Sequence, residues 1–217
     1  MMQFELDHLF VCTAVGAPEA DRLIQFGLRE GPPNRHLGQG TANRRFGFAN
    51  TMIELVWVSD PQEAQSQSTR RTLLWERWPG RKEAACPFGI CLRPVDFQGT
   101  GLPFPGWEYR PAYLPDPLFM LVGEAGIEEP MWVYLSFQKR VQHLQRFAEH
   151  PAGIREISGL TLTTRVPLGS SVSEKIVKSG ILTTRSGATP LLEIEFDGQQ
   201  QRKRVDFRPH LPLVFQL

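Results

Sequence analysis

Apolar and polar positions alternate along "FELDHLFVCT", which predicts a strand with Leu6, His8, Phe10 and Cys12 on one face and Asp7, Leu9 and Val11 on the other. After the break at Gly16, "PEADRLIQFGL" opens with Pro18 and two acids and then places apolar residues at Leu23, Ile24 and Leu28. That is the pattern of a short helix with a favourable first turn, covering one face of the sheet. The Pro- and Gly-rich "REGPPNRHLGQG" reads as loop, and "TANRRFGFAN" with "TMIELVWV" as a hairpin turning near Asn50. In the second arm Ile53, Leu55 and Trp57 share a face, and Met52, Glu54, Val56 and Val58 share the opposite one. A carboxylate therefore sits among apolar neighbours, where an unpaired charge is costly.

From Ser59 to Ala85 the chain is polar, and "STRRTLLWERW" inside it predicts a helical turn or two that carries Leu74 and Trp78 toward the core. "CPFGICLRPV", "WEYRPAYL", "PLFMLVGEA" and "MWVYLSF" read as strands. "QKRVQHLQRFAEH", with Val141, Leu144, Phe147 and Ala148 apolar, reads as an amphipathic helix ended by Pro151. The last segment predicts a strand at "IREISGLTLTTR", a helix at "SSVSEKIVKSG" opened by Ser171 and Glu174 and closed by Gly180, and strands at "ILTTRSG", "PLLEIEFD" and "RKRVDFRP".

The opening order of strand, helix, strand, strand thus recurs near the end. Laying "LDHLFVCT" over "ISGLTLTT" pairs His8 with Gly159, and laying "MIELVWV" over "LLEIEFD" pairs Glu54 with Glu193. A middle copy starting at Cys86 puts Gly89 in the place of His8. The expected class is α+β, built from strand-led units.

Composition narrows the function classes. A chain of 217 residues makes one sizeable domain or two small ones. Its 24 basic and 23 acidic residues leave a net charge of +1, which gives no footprint for nucleic acid or an anionic membrane. A small-molecule ligand fits that balance, in a monomer or a homodimer. "MMQFELDHLF" does not read as a secretory leader, and the odd set Cys12, Cys86 and Cys91 suits a reducing cytoplasm. Buried inert thiols are the expected reading of all three. No nucleophile elbow, paired-cysteine metal motif, Walker loop or dinucleotide fingerprint is present.

"LDHLFVCT", the glycine-rich "GQGTANRRFGF" and "MIELVWV" together resemble the vicinal oxygen chelate superfamily of glyoxalases, bleomycin-resistance proteins and extradiol dioxygenases. The glyoxalase-like group with G-x-G-T-x-N ahead of the strand is the best match, here Gly38, Gly40, Thr41 and Asn43. The resemblance covers Leu6 to Val58 by motif and the remainder by strand order. It implies βαβββ-type modules whose curved sheets enclose a pocket: paired modules over 1–137, with a first unit at 4–58 and a degenerate second at 86–137, then a connecting helix and a third unit over 138–217. It also implies a divalent metal (iron, manganese, nickel or zinc) held by His8, Glu54 and, from the third unit, Glu193. Such an ion would polarise a carbonyl or stabilise an enolate.

For His8 a pocket role and a hydrogen-bonded strand histidine are both open. For Glu54 the alternatives are metal ligation and a salt bridge to Arg44 or Arg45. Gly38 and Gly40 suit a tight loop of positive φ, with Thr41 and Asn43 capping it or, with Arg45, contacting a ligand. His36, His143, His150 and His210 lack ligand spacing and read as surface or loop residues. Two functions follow: a glyoxalase-like enzyme in which Glu54 handles a proton and His8 positions metal or substrate, or a non-enzymatic module that sequesters a small molecule.

Overall fold

The computed structural model describes residues 4–95, 102–138 and 149–217. Across these residues, thirteen strands and four α-helices form a mixed α+β fold with two sheets. Strands β1 (Phe4–Cys12), β2 (Asn34–His36), β3 (Thr41–Gly47), β4 (Met52–Val58), β5 (Phe88–Pro94), β6 (Gly106–Tyr109), β7 (Met120–Gly123) and β8 (Met131–Tyr134) build the first sheet, in the order β2-β3-β4-β1-β5-β8-β7-β6. Strands β9 (Ile157–Thr164), β10 (Thr183–Ser186), β11 (Leu191–Phe196), β12 (Arg204–Asp206) and β13 (Leu213–Gln216) build the second, ordered β10-β9-β11-β13-β12. The helices are α1 (Ala20–Phe26), α2 (Pro61–Ala64), α3 (Leu74–Gly80) and α4 (Ser171–Lys178). Among the described residues no helix is long and apolar enough to cross a membrane.

The first sheet has an internal two-fold character. β4 lies parallel to β1 and β8 parallel to β5, while β1 and β5 meet antiparallel at the centre. One face of this sheet packs on the second sheet. Leu9, Val11, Ile53, Leu55, Ile90 and Leu92 share a core with Leu160, Leu162, Ile194, Phe196 and Phe215. Helix α1 completes that core, with Phe26 edge-on to Phe207 and Phe215 at 5.7 and 5.8 Å. Phe10, Val56, Leu74, Cys91, Tyr109 and Val133 cluster on the other face. Burial of this many large apolar side chains, at roughly 1.5–3 kcal/mol each, does most to hold the sheets together.

Glu129 fastens the second sheet's helix to the first sheet. Its carboxylate accepts from the backbone N–H of Gly169 and Ser170, from the Ser170 hydroxyl and from Nε1 of Trp132. These bonds outweigh burial and hold the carboxyl below its ordinary range.

Several expectations are corrected. Leu6 packs with the inter-sheet core and not beside His8, because the β1–β5 register slips between Leu6 and His8. This bulge makes Asp7 the extra residue. Helix α4 is capped by the Ser170 hydroxyl, which accepts from the N–H of Ser173, one residue earlier than the Ser171 expected. Asn34–His36 and Leu213–Gln216 pair as strands where none was predicted, each at a sheet position that needs only three or four residues. The third unit does not repeat the first, since β11 runs antiparallel to β9 where β4 runs parallel to β1. The helix expected over "QKRVQHLQRFAEH" lies largely outside the described residues.

Candidate functional site

A cavity of about 260 Å³ opens on the face of the first sheet turned away from the second. Its walls are mostly apolar, with Phe10, Met52, Val56, Leu74, Met131 and Val133 among them, and its polar groups converge from several strands. That is the usual make-up of a small-molecule site. β1 supplies His8, β4 supplies Glu54, β3 supplies Arg45 and β5 supplies Cys91. Alternation along β4 places Glu54 between Met52 and Val56 on this wall, while Ile53 and Leu55 go to the core.

The bulge in β1 arms the site. Alternation from Glu5 turns Asp7 to the cavity side, and the extra residue lets the next position, His8, face the same way. Nδ1–H of His8 donates to Oδ1 of Asp7 at 2.7 Å. Behind it the buried guanidinium of Arg93 donates to Oδ2 of Asp7 at 3.0 Å, to Glu5 at 2.8 Å and to the carbonyl of Asn50 at 2.8 Å. The chain Arg93–Asp7–His8 therefore fixes the imidazole with Nδ1 occupied and Nε2 left for other partners. Burial raises the Asp7 carboxyl, but His8 and Arg93 outweigh it and hold the group below its ordinary value. Burial would lower His8, but Cys91, Asp7 and Glu54 outweigh it and hold the imidazole well above its ordinary value. Cys91 lies opposite His8 in the β1–β5 ladder and lines the cavity beside it.

Glu54 is 6 % exposed. Arg45 is its cross-strand neighbour, yet among the described residues no ion pair within 4 Å joins them; Arg45 Nε donates to the carbonyl of Pro32 at 2.6 Å. Arg44 points to the other face and pairs with Glu30 at 2.7 Å and Asp21 at 3.0 Å. The salt-bridged alternative for Glu54 is thus not what the structure builds, and its carboxylate is left facing the cavity.

The glycine-rich loop shapes the rim. Gly38 and Gly40 have φ of +80° and +75°, as the tight loop requires. Their N–H groups donate to Oε2 of Glu63 at 2.7 and 3.0 Å, which leaves no phosphate cradle there. Asp60 caps α2 and so presents Glu63 to the loop. Thr41 is spent internally, its hydroxyl accepting from Gln39 at 2.8 Å and sharing a 2.9 Å bond with Nδ1 of His36, while Oδ1 of Asn43 accepts from the N–H of Asn34 and its buried Nδ2 has no partner among the described residues. Of the three expected ligand contacts only Arg45 lines the cavity.

Sequence reasoning missed His36 and Cys91. His36 lines the cavity, lies tilted against the Tyr113 ring at 5.1 Å, and is pushed below its ordinary value by burial. A signal existed in the two-residue spacing that puts His36 and Asn34 on one face of a short strand. His150 is no surface residue: it is buried, Nε2–H donates to the carbonyl of Gly47 at 2.9 Å, and Nδ1 accepts from the N–H of Arg29. His143 lies outside the described residues. His210 sits at the surface beside Arg22.

The donor set for a metal does not assemble. Glu193 stands on β11 of the second sheet, bonded to Arg185 at 2.9 Å and to Gln216 at 3.3 Å, and takes no part in the cavity. Gly89 cannot be exchanged for a histidine, because a Cβ there would lie 1.9 Å from the Phe10 ring. Val133 occupies the corresponding wall position on β8. Among the described residues no group of three His, Cys, Asp or Glu side chains could hold a metal ion. His8 and Glu54 alone are too few for a resident ion.

No family model and no curated protein matches the chain. Among solved structures, one described as the crystal structure of a hypothetical protein from Staphylococcus aureus aligns over 99 % of both chains with a TM-score of 0.55 and 13 % identity. The likeness is one of fold.

Proposed function

We propose that the protein is a glyoxalase-like small-molecule enzyme that moves a proton on a small oxygenated metabolite bound between His8 and Glu54. The carrying observation is that these two residues, 46 positions apart in the chain, line one largely apolar cavity with their side chains uncommitted to each other. Paired strand-led modules meeting in one sheet support the vicinal oxygen chelate reading, as does the placement of His8 and Glu54 on the two strands that the resemblance implies. His8, anchored by Asp7 and carrying its proton, donates to the substrate oxygen. Glu54 takes the proton from the adjacent carbon as negative charge moves onto that oxygen. Arg45 offers a counter-charge to a substrate carboxylate. In this reading the protein groups do the work that an ion does in metal-using relatives.

The apolar wall, with Met52, Met120 and Met131, also favours a second reading, sequestration of an apolar ligand without chemistry. A panel of hydroxyacetone, glycolaldehyde, phenylpyruvate and related carbonyl compounds separates the two. Enzyme function predicts consumption of a panel member by the wild type, loss of turnover in Glu54→Gln and retained thermal stabilisation by the same compound. Stabilisation without turnover by any member points to the binding module.

A further inference from the structure

We infer that Asp7, His8 and Cys91 form a carboxylate–imidazole–thiol relay on the cavity wall, and that the Cys91 sulfur adds reversibly to the electrophilic carbonyl of a small ligand held there. The inference shares with the proposed function only the premise that the cavity binds a carbonyl compound. Three observations carry it. His8 and Cys91 face each other across the central ladder of the sheet, and both line the cavity. Asp7 occupies Nδ1 of His8 at 2.7 Å, which leaves the other ring nitrogen open to the thiol and the ligand. Arg93, buried and bonded to Asp7, Glu5 and Asn50, holds the carboxylate in place.

The other two thiols lack these features. Cys12 and Cys86 are buried away from the cavity lining, and burial pushes them up to about 12 and about 11. Cys91 is raised by burial too, but the neighbouring charge of His8 opposes that rise. The thiol is therefore the one with an acid–base partner at hand.

The step balances without a co-reactant. The sulfur–carbon bond forms as the carbonyl π pair moves to oxygen; His8 gives its Nε2 proton to that oxygen and takes the proton leaving sulfur in its place, and the product is a hemithioacetal. Collapse by the reverse path releases the ligand. Asp7 is a positioning residue, acting through the ring.

Limited alkylation of the native protein with iodoacetamide, read by peptide mass spectrometry, supplies the test with Cys12 and Cys86 as internal controls. Cys91 labels at least about 10-fold faster than either, and the advantage falls about 10-fold in His8→Gln. Asp7→Asn lowers it as well, and Asp7→Glu restores part of it, which a merely structural contact would not do. Benzaldehyde carrying ¹³C at the carbonyl gives a new tetrahedral carbon resonance with the wild type and none with Cys91→Ala. Equal labelling of the three thiols, an unchanged Cys91 rate in His8→Gln, or no tetrahedral resonance overturns the relay. Those outcomes are independent of turnover in the carbonyl panel, so either idea can fail alone. Should His8→Gln not fold, the ratio among the wild-type thiols and the resonance still decide.

Discussion

Replacing Arg93 by Met keeps the stem of the side chain and removes its charge, so it isolates what the guanidinium does. Arg93 has a side-chain exposure of 2 % and meets Asp7, itself 9 % exposed, at 3.0 Å. Removing one partner of such a buried pair leaves an uncompensated charge, which costs about 3–5 kcal/mol. Glu5, at 27 % exposure, retains water and adds little. For a chain of this size each kcal/mol moves the midpoint by about 2–4 °C, so Arg93→Met is expected to melt roughly 6–20 °C lower. The double variant Arg93→Met/Asp7→Asn removes the stranded carboxylate and recovers about 1–3 kcal/mol relative to the sum of the single changes. Acidity provides a further check. The wild-type Asp7 carboxyl is held below its ordinary 3.8, so its stabilising contribution is present above that pH and lost as pH falls through the folded value. Without Arg93 the carboxyl rises, protonation relieves the penalty, and the gap between variant and wild type narrows toward pH 4. Urea titrations of the four proteins at neutral pH and near pH 4 measure these quantities. A single-variant cost under about 1 kcal/mol, or losses that add within about 0.5 kcal/mol, refutes the buried network as the anchor of His8.

Two other outcomes follow from the same geometry. Gly89→Ala forces the Phe10 ring off its seat, since the new Cβ falls 1.9 Å from Cε1, and is expected to cost about 1–3 kcal/mol in thermal unfolding and to weaken any ligand that stabilises the wild type. Because the folded imidazole of His8 titrates well above its ordinary 6.5, its contribution is complete below that pH and declines as pH rises through the folded value; urea midpoints from pH 6 to 9 should fall in the wild type and flatten in His8→Gln.

Much of the first half of the chain was legible. The period-two pattern of β4 assigned Glu54 and Ile53 to opposite faces, and both lie where it put them. The same rule misplaced Leu6, because a bulge inserts one residue without leaving a hydrophobic signature. The place of Cys91 beside His8 on the cavity wall is invisible in the sequence, since the two are 83 residues apart and only the antiparallel ladder brings them together. Glu193 was drawn into the site by a local likeness to Glu54, but strand direction depends on connections that a short apolar motif does not encode. His150 illustrates the reverse case: a loop histidine with no motif is buried because two backbone groups, at Gly47 and Arg29, need its two nitrogens.

Hydrogen–deuterium exchange at the carbon beside the carbonyl of a cavity ligand, followed by proton NMR in D₂O, tests most directly whether His8 and Glu54 act on one bound molecule. Wild-type protein is expected to wash the proton out of hydroxyacetone or a better ligand from the panel, with Glu54→Gln and His8→Gln each slowed by at least about 100-fold. Exchange by the wild type at the rate of buffer alone for every compound that the cavity binds, or undiminished exchange in Glu54→Gln, would contradict a shared role for the two residues.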